Sequence, residues 1–249
     1  MCNIDENSRS VNPNISVDCV IFGYDGKQLS ILLVSQTEKE PDGRQAAMKL
    51  PGSLIYNDED LDESAQRVLH ELTGLKNVTM LQFHTFGSKD RTRRNPRDVK
   101  WLTRFHELSL DVERIVTVGY LAMLKMGPRF VTLSPRYEAC WIPVKEVGEL
   151  AFDHNEIIGR AIEYVCQYAE NHPAMLFGLL PRKFTAAELR RLFEVVYDRV
   201  YDVRNFHKKI AMMDYVVPLE EKQVGVAHRA ARYYRFDKVK YNQSFRKIN

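Results

Sequence analysis

The sequence predicts an α/β domain built around one amphipathic helix, followed by a smaller helical module closed by a two-stranded ribbon. Three observations predict it. Residues 50–75, LPGSLIYNDEDLDESAQRVLHELTGL, read as strand, loop and helix, with apolar strand-like runs before and after. Beyond residue 176 the order changes to helices and a final ribbon. The charge changes with it: residues 182–249 hold 16 Lys and Arg against 8 Asp and Glu, while the rest of the chain is net acidic. A basic third on an acidic body points to a polyanionic partner.

Composition bounds the class. A hydrophobic fraction of 45% and a charged fraction of 28% are those of a folded, soluble protein. No apolar run reaches transmembrane length, and the polar start MCNIDENSRSVNPN is no signal peptide, so a cytoplasmic protein without membrane contact is expected. Cys2, Cys19, Cys140 and Cys166 are scattered, with no C-x-x-C, so neither a structural disulfide nor a zinc site is expected.

Taken in order, residues 1–14 read as a loose leader. Residues 16–22 (SVDCVIF) and 29–35 (LSILLVS) read as strands joined by the turn GYDGKQ. A polar loop, 36–45, leads to the central stretch. There Asp60 is placed to cap the helix, with Glu63 returning the bond, and Gly74 ends it. Leu61, Ala65, Val68, Leu69 and Leu72 recur at helical spacing. Further strands are expected at 78–86, 115–125 and 140–143, with a short helical turn in 144–150. Between the first two of these lies the basic loop 87–96, GSKDRTRRNP; its run 91–97 could serve phosphates but is read as solvated or dimer-facing. The segment 98–114 after it carries Trp101, Phe105 and His106, and either packs as an extra helix or shapes a pocket. A helix over 153–171 carries Ile157, Ile158, Ala161, Ile162, Val165, Tyr168 and Ala169 on one stripe and stops at Pro173. The domain boundary is drawn there, at 152/153.

In the C-terminal module, FGLLP (177–181) reads as a short strand. Thr185 caps a helix to about Tyr197, and a second helix runs from about Val200 to Met213. A strand at 215–219, a polar turn at 220–225 and a return strand at 229–236 complete the order of a winged helix-turn-helix. In the second helix Val203, Phe206, Ile210 and Met213 are expected in the module core, with Tyr201, Arg204, Asn205 and Lys208 facing away. Arg suits guanine, Asn suits adenine and Lys suits phosphate. His207 on the same helix, Thr185 at the preceding one, and Lys222, Arg229 and Arg232 on the ribbon complete the candidate DNA-binding set. Gln223, His228 and the basic tail KVKYNQSFRKIN lie beside it.

The central stretch resembles the Nudix box, G-x5-E-x7-R-E-U-x-E-E-x-G-U, where U is aliphatic. With Ser53 at the first Gly, Glu59, Arg67, Leu69, Glu71, Gly74 and Leu75 fill its positions, while Val68 and Leu72 stand where two helix glutamates belong. Positions 68, 71 and 72 share one helical face, and one carboxylate among aliphatic neighbours is a poor Mg²⁺ site. The chain also resembles the Nudix-related transcriptional regulators of bacteria. Phe86-Gly87 and Arg94-Asn95-Pro96-Arg97 carry part of that likeness. So do Phe184, Thr185, Leu189, Phe193 and Glu194; Arg204, Asn205, Phe206, Lys208 and Lys209; and residues 230–236 (AARYYRF). The resemblance implies a Nudix-like α/β/α sandwich (1–152) that senses a small molecule and a winged helix-turn-helix domain (153–249) that holds operator DNA, in a homodimer.

The degraded box and the 98–114 segment look closest to the arabinose regulators of Bacteroides. The expected function is therefore a non-enzymatic, ligand-responsive regulator with no catalytic residue, metal or cofactor, and L-arabinose as effector. Glu71 and Glu59 would accept hydroxyl bonds while Trp101 or Trp141 covers a sugar face. A diphosphate would meet Glu71 without a neutralising ion. Two alternatives stay open: a regulator sensing ADP-ribose, and a hydrolase of ADP-ribose-like nucleotides, which Glu59 and Glu71 keep alive. An RNA-binding module fits less well, since the helix-and-wing order provides no aromatic stacking sheet.

Overall fold

The structure is a computed structural model that describes residues 9–37, 47–91, 98, 101, 114–126, 137–225 and 230–246. These fall into two compact units: the first holds residues up to 22, 30–122 and 128–163, and the second holds 23–29, 123–127 and everything from 164 on, so that one helix passes from the first to the second after Glu163.

The first unit is a six-stranded sheet. Its central strand, β1 (Val11–Tyr24), is longer than its apolar run because Val11 already faces Tyr56 across a register shift. The expected leader is thus strand from Val11 on; residues 1–8 lie outside the described ones. Residues 17–24 of β1 are all buried, as expected of an inner strand that is apolar but for Asp18. The turn to β2 (Leu29–Gln36) is held by Asp25, whose Oδ1 accepts the Lys27 and Gln28 amides at 2.7 and 2.8 Å. β3 (Gly52–Tyr56) pairs with β1, and β4 (Leu81–Phe86) pairs with β5 (Val116–Lys125). β6 (Tyr137–Pro143) pairs with β2 from Ser30↔Pro143 to Gln36↔Tyr137. The order is β4-β5-β1-β2-β6, with β3 on β1. Helix α1 (Leu61–Thr73) packs on β3 and β6. Its ends follow the local signals: the Asp60–Glu63 capping box is formed, and Gly74 closes the helix at φ 76°, a left-handed conformation that disfavours a side chain. A single helical turn, Val144–Glu146, follows β6.

Helix α2 (His154–Asn171) opens in the first unit and ends in the second. The expected strand at FGLLP is instead a helical turn, α3 (Ala174–Phe177), continued by tight turns through Leu180. Successive three-residue bonds, such as Leu176 N–H to Pro173 and Leu180 N–H to Phe177, replace the ladder. A short apolar run cannot by itself tell strand from buried helical turn. Then come β7 (Phe184–Thr185), α4 (Ala186–Val196), α5 (Val203–Ala211), β8 (Val216–Lys222), β9 (Arg232–Phe236) and α6 (Lys238–Arg246). The strands form a small sheet, β7-β9-β8. β8 absorbs the first part of the expected polar turn, because Lys222 still faces Arg232 across the ribbon. Phe177, Phe184, Leu189, Leu192, Phe193, Phe206 and Ile210 fill the core, and the Phe177 and Phe236 rings stack at 4.6 Å. The basic tail is helical where described; its Tyr241 packs on the rings of Tyr215 and Phe236.

Candidate effector site and nucleic-acid interface

The α1 box centres on Arg67. Its Nε and Nη2 donate to Glu59 at 2.8 and 2.5 Å, Nη1 donates to Glu71 at 3.1 Å, and Nη2 also reaches the Leu54 carbonyl at 3.3 Å. The Tyr56 amide donates to Glu59 at 2.8 Å. Burial alone would raise the Glu59 pKa, but the bonds from Arg67 and Tyr56 outweigh it and bring it down to about 2. Arg67 and Arg9 both lie over the Tyr56 ring, at 4.3 and 4.4 Å. Of the helix face expected towards a ligand, Val68 and Leu72 are buried and Glu71 alone is open to solvent. A groove of about 720 Å³ runs beside the box, with Arg9, Asp58, Glu59, Asp62, Gln66 and Arg67 among its walls.

The structure does not bring the four expected effector residues together. Glu59 lines the groove, while Glu71, Trp101 and Trp141 are absent from its walls. Trp101 is only 5% exposed, packed with Ala151, Phe152 and Tyr137, and the Lys49 ammonium stands 5.4 Å from its ring. Its faces are therefore taken. Trp141 sits in β6 opposite Leu32, half-buried. Phe105, His106 and residues 92–97 lie outside the described residues.

Sequence reasoning missed a buried charged cluster in the same unit. Arg91 is not solvated: it donates twice to Asp153, both at 2.9 Å, and once to the Ile115 carbonyl at 3.3 Å, and is 4% exposed. Its Nη2 is 3.6 Å from Asp18, which also accepts the Thr117 hydroxyl at 2.7 Å. His154 Nδ1 accepts the Leu50 amide at 2.8 Å, so in the neutral ring Nε2 carries the proton, 3.5 Å from Asp18. Burial holds His154 down to about 4 against the pull of Asp18. Burial likewise lowers Lys49 to about 8, with Asp18 opposing; its Nζ donates to the Gly52 carbonyl at 2.5 Å. Burial pushes Asp18 up, but His154, Arg91, Lys49 and the Thr117 bond together bring it below its ordinary value. A Cβ at Gly52 would overlap the Asp18 carboxylate, which is why the LPG lead-in needs its glycine. The readable signal was Asp18, a carboxylate in the middle of SVDCVIF.

In the second unit, α5 follows its cap: the Asp202 side chain accepts the Asn205 amide at 2.9 Å. Phe206 and Ile210 are buried, and Arg204, Asn205, His207 and Lys208 are exposed. Three expectations are corrected. Val203 is 52% exposed, since its turn of the helix projects beyond the core that Phe206 and Ile210 fill. Tyr201 packs its ring on Phe206 and Phe193 at 5.3 and 6.3 Å, and its amide donates to Glu194 at 3.0 Å. Thr185 is 3% exposed, and its hydroxyl accepts the Glu188 amide in a capping box. Lys222 and Arg232 are exposed and face each other across the ribbon; Arg229 lies outside the described residues.

The sequence profile of the NUDIX domain matches residues 12–164. The chain belongs to the NUDIX family. A second profile, the NrtR DNA-binding winged helix domain, matches residues 176–236, so the NUDIX unit is followed by an NrtR-type winged helix. An ADPR responsive transcriptional repressor, NtrR, of Acinetobacter baylyi is 24% identical over 238 residues, which cover 94% of this chain and 86% of that one. The NUDIX chain is also similar to NrtR of Shewanella oneidensis, solved in complex with a 27mer DNA. The identity is 25% and the TM-score 0.62, over 90% of this chain and 93% of that one. A MutT/nudix family protein from Enterococcus faecalis matches at 25% identity and TM-score 0.63, over 94% and 90%. The expected closeness to arabinose regulators finds no support in these relatives. Among the described residues, no helix of this NUDIX protein is long and apolar enough to cross a membrane.

Proposed function

We propose that this chain is a ligand-responsive transcriptional repressor of NrtR type, with ADP-ribose or a close analogue as effector. Residues 1–152 serve as the effector domain, 153–249 as the DNA-binding domain, and the working form is a homodimer on a two-fold operator. The observation that carries the reading is the outer face of α5. There Arg204, Asn205, His207 and Lys208 stand exposed on a helix anchored by Phe206 and Ile210, in a winged helix of the NrtR type. One argument for a neutral pentose over a diphosphate is a Glu71 without a neutralising partner. Arg67 pairs with Glu71 at 3.1 Å, so that objection to an anionic effector falls away. The relative from Acinetobacter, described as ADPR responsive, then favours ADP-ribose.

In this reading the effector enters the groove beside Glu59, where Arg9 and Arg67 are paired with Asp58, Glu59 and Glu71 and so offset part of the carboxylate charge of its wall. It releases DNA only by binding the DNA-incompetent form more tightly, and operator must weaken effector binding by the same factor. No hydrolysis accompanies sensing, because Val68 and Leu72 occupy two of the three carboxylate positions of the box helix. Selection of duplexes from a random pool, followed by mobility shifts with ADP-ribose or L-arabinose, tests the proposal. A palindromic site released by ADP-ribose and not by arabinose supports it. Release by arabinose alone overturns the effector. Turnover of ADP-ribose with Mg²⁺ or Mn²⁺ near the common enzyme rate of ~10 s⁻¹ overturns the non-catalytic part.

A further inference from the structure

Five large apolar side chains stand exposed among the described residues: Val200, Val203, Met212, Val224 and Val239. All five belong to the second unit. Two of them flank the start of α5, Val200 in the preceding turn at 90% exposure and Val203 as its first residue at 52%. The rest of that surface is polar: Arg204, Asn205, His207 and Lys208 are all open to solvent. Val203 continues the stripe of Phe206 and Ile210 past the end of the core, so its isopropyl group stands open one turn before the exposed His207, where an apolar counterpart would complete it. The base edges of the major groove present one, the C5-methyl of thymine. The first residues of a recognition helix are the ones that reach base edges. Position favours Val203 over Val200, because Val203 is the first residue of the helix itself, while Val200 precedes its cap. Asp202 fixes this first turn by accepting the Asn205 amide, so Val203 is presented on an ordered backbone.

On the reading of the chain as a DNA-binding regulator, we infer that Val203 is a specificity residue that packs on a thymine methyl in each operator half-site. The contact is read without any hydrogen bond. It adds to, and is separable from, the polar readout by Arg204 and Asn205. Its loss is worth about fourfold in affinity, the equivalent of ~0.8 kcal/mol for one buried methyl-sized group.

The test uses the full chain and the duplex it selects from a random pool. Each thymine of a half-site is replaced in turn by deoxyuridine, which deletes only the methyl. Wild type should lose about fourfold at one position. Val203→Ala should bind the thymine and deoxyuridine duplexes equally at that position, at the affinity wild type shows for the deoxyuridine one. Arg204→Ala should bind more weakly overall yet keep the fourfold penalty, and so should Val200→Ala. Circular dichroism of Val203→Ala should match wild type, since the side chain is exposed. A selected site with no deoxyuridine penalty anywhere overturns the inference and leaves the regulator standing. A penalty abolished by Val200→Ala and kept by Val203→Ala also overturns it. Failure to select any site removes the regulator reading, and the inference with it.

Discussion

The interior cluster of the NUDIX unit and the outer face of α5 use nearly the same side chains. The first has Lys49, Arg91, His154, Asp18 and Asp153; the second has Lys208, Arg204, His207 and Asn205. In the cluster every charge meets a partner: Arg91 on Asp153, Lys49 on a carbonyl, and Asp18 beside Thr117 and His154. On α5 the four side chains make no hydrogen bond or ion pair among the described residues. The difference teaches that residue type says little about function. Burial with full satisfaction marks a group that holds the fold. Exposure on a rigid, capped helix marks one available to a ligand.

The largest expected effect breaks the first half of that comparison. Arg91→Ala leaves Asp153 buried without its bidentate partner and takes a cation from beside Asp18. Urea unfolding should show a loss of ~3–5 kcal/mol, the usual cost of breaking a buried pair. Arg204→Ala should change stability by no more than ~0.5 kcal/mol, as exposed sites do. Similar losses for both would mean that the two regions do not differ in the way their burial indicates.

The cluster also has a pH signature. His154 is held down to about 4 by burial, against an unfolded value of ~6.5. Between those values the unfolded chain binds a proton that the folded chain does not. The stabilisation from keeping His154 neutral is therefore present above pH ~6.5 and is lost as the pH falls towards 4. The drop is on the order of 3 kcal/mol. Denaturant titrations at several pH values, wild type against His154→Gln, should show the variant with the flatter profile across that window. Parallel profiles would remove His154 as the cause.

What the sequence made legible follows the same division. The capping box of Asp60 and Glu63, the Gly74 stop and the anchors Phe206 and Ile210 were readable because each is a local pattern, three to seven residues long. The cluster was not readable, because positions 18, 49, 91, 117, 153 and 154 meet only through the sheet. Arg91 therefore looked like one more basic loop residue. Val203 failed differently. It lies on the same helical stripe as Phe206 and Ile210, and periodicity cannot say where along a stripe the core ends. FGLLP failed because a five-residue apolar run has no period to measure.

Two substitutions sharpen the second half of the comparison by separating kinds of DNA contact. Arg204→Ala should lose ~1–3 kcal/mol on the selected site and little on random duplex, as removal of a base contact does. Lys208→Ala should weaken both alike and reduce the salt slope of binding by about one unit, as removal of a phosphate contact does. Fluorescence anisotropy at several salt concentrations reads both. Equal, negligible losses would mean that α5 does not enter the groove.

The smallest effect concerns Tyr201, which lies just before α5, is expected to face DNA and instead packs inward. Its ring is packed on Phe193 and Phe206 with the Arg199 guanidinium 4.4 Å from its centre, and its hydroxyl is buried with no hydrogen-bond partner among the described residues. By the rule drawn from the cluster, a buried polar atom that is not satisfied costs stability, here on the order of 1 kcal/mol. Tyr201→Phe deletes that atom and keeps the ring. Unfolding should show no loss, and at most a gain of ~1 kcal/mol, while affinity for the selected duplex stays within twofold. Tyr201→Ala, which removes the packing as well, should instead cost ~3 kcal/mol or more. If Tyr201→Phe weakens DNA binding by tenfold with stability unchanged, the hydroxyl is a DNA contact after all. The boundary between structural and ligand-facing groups would then lie one helical turn earlier than the packing of this ring implies.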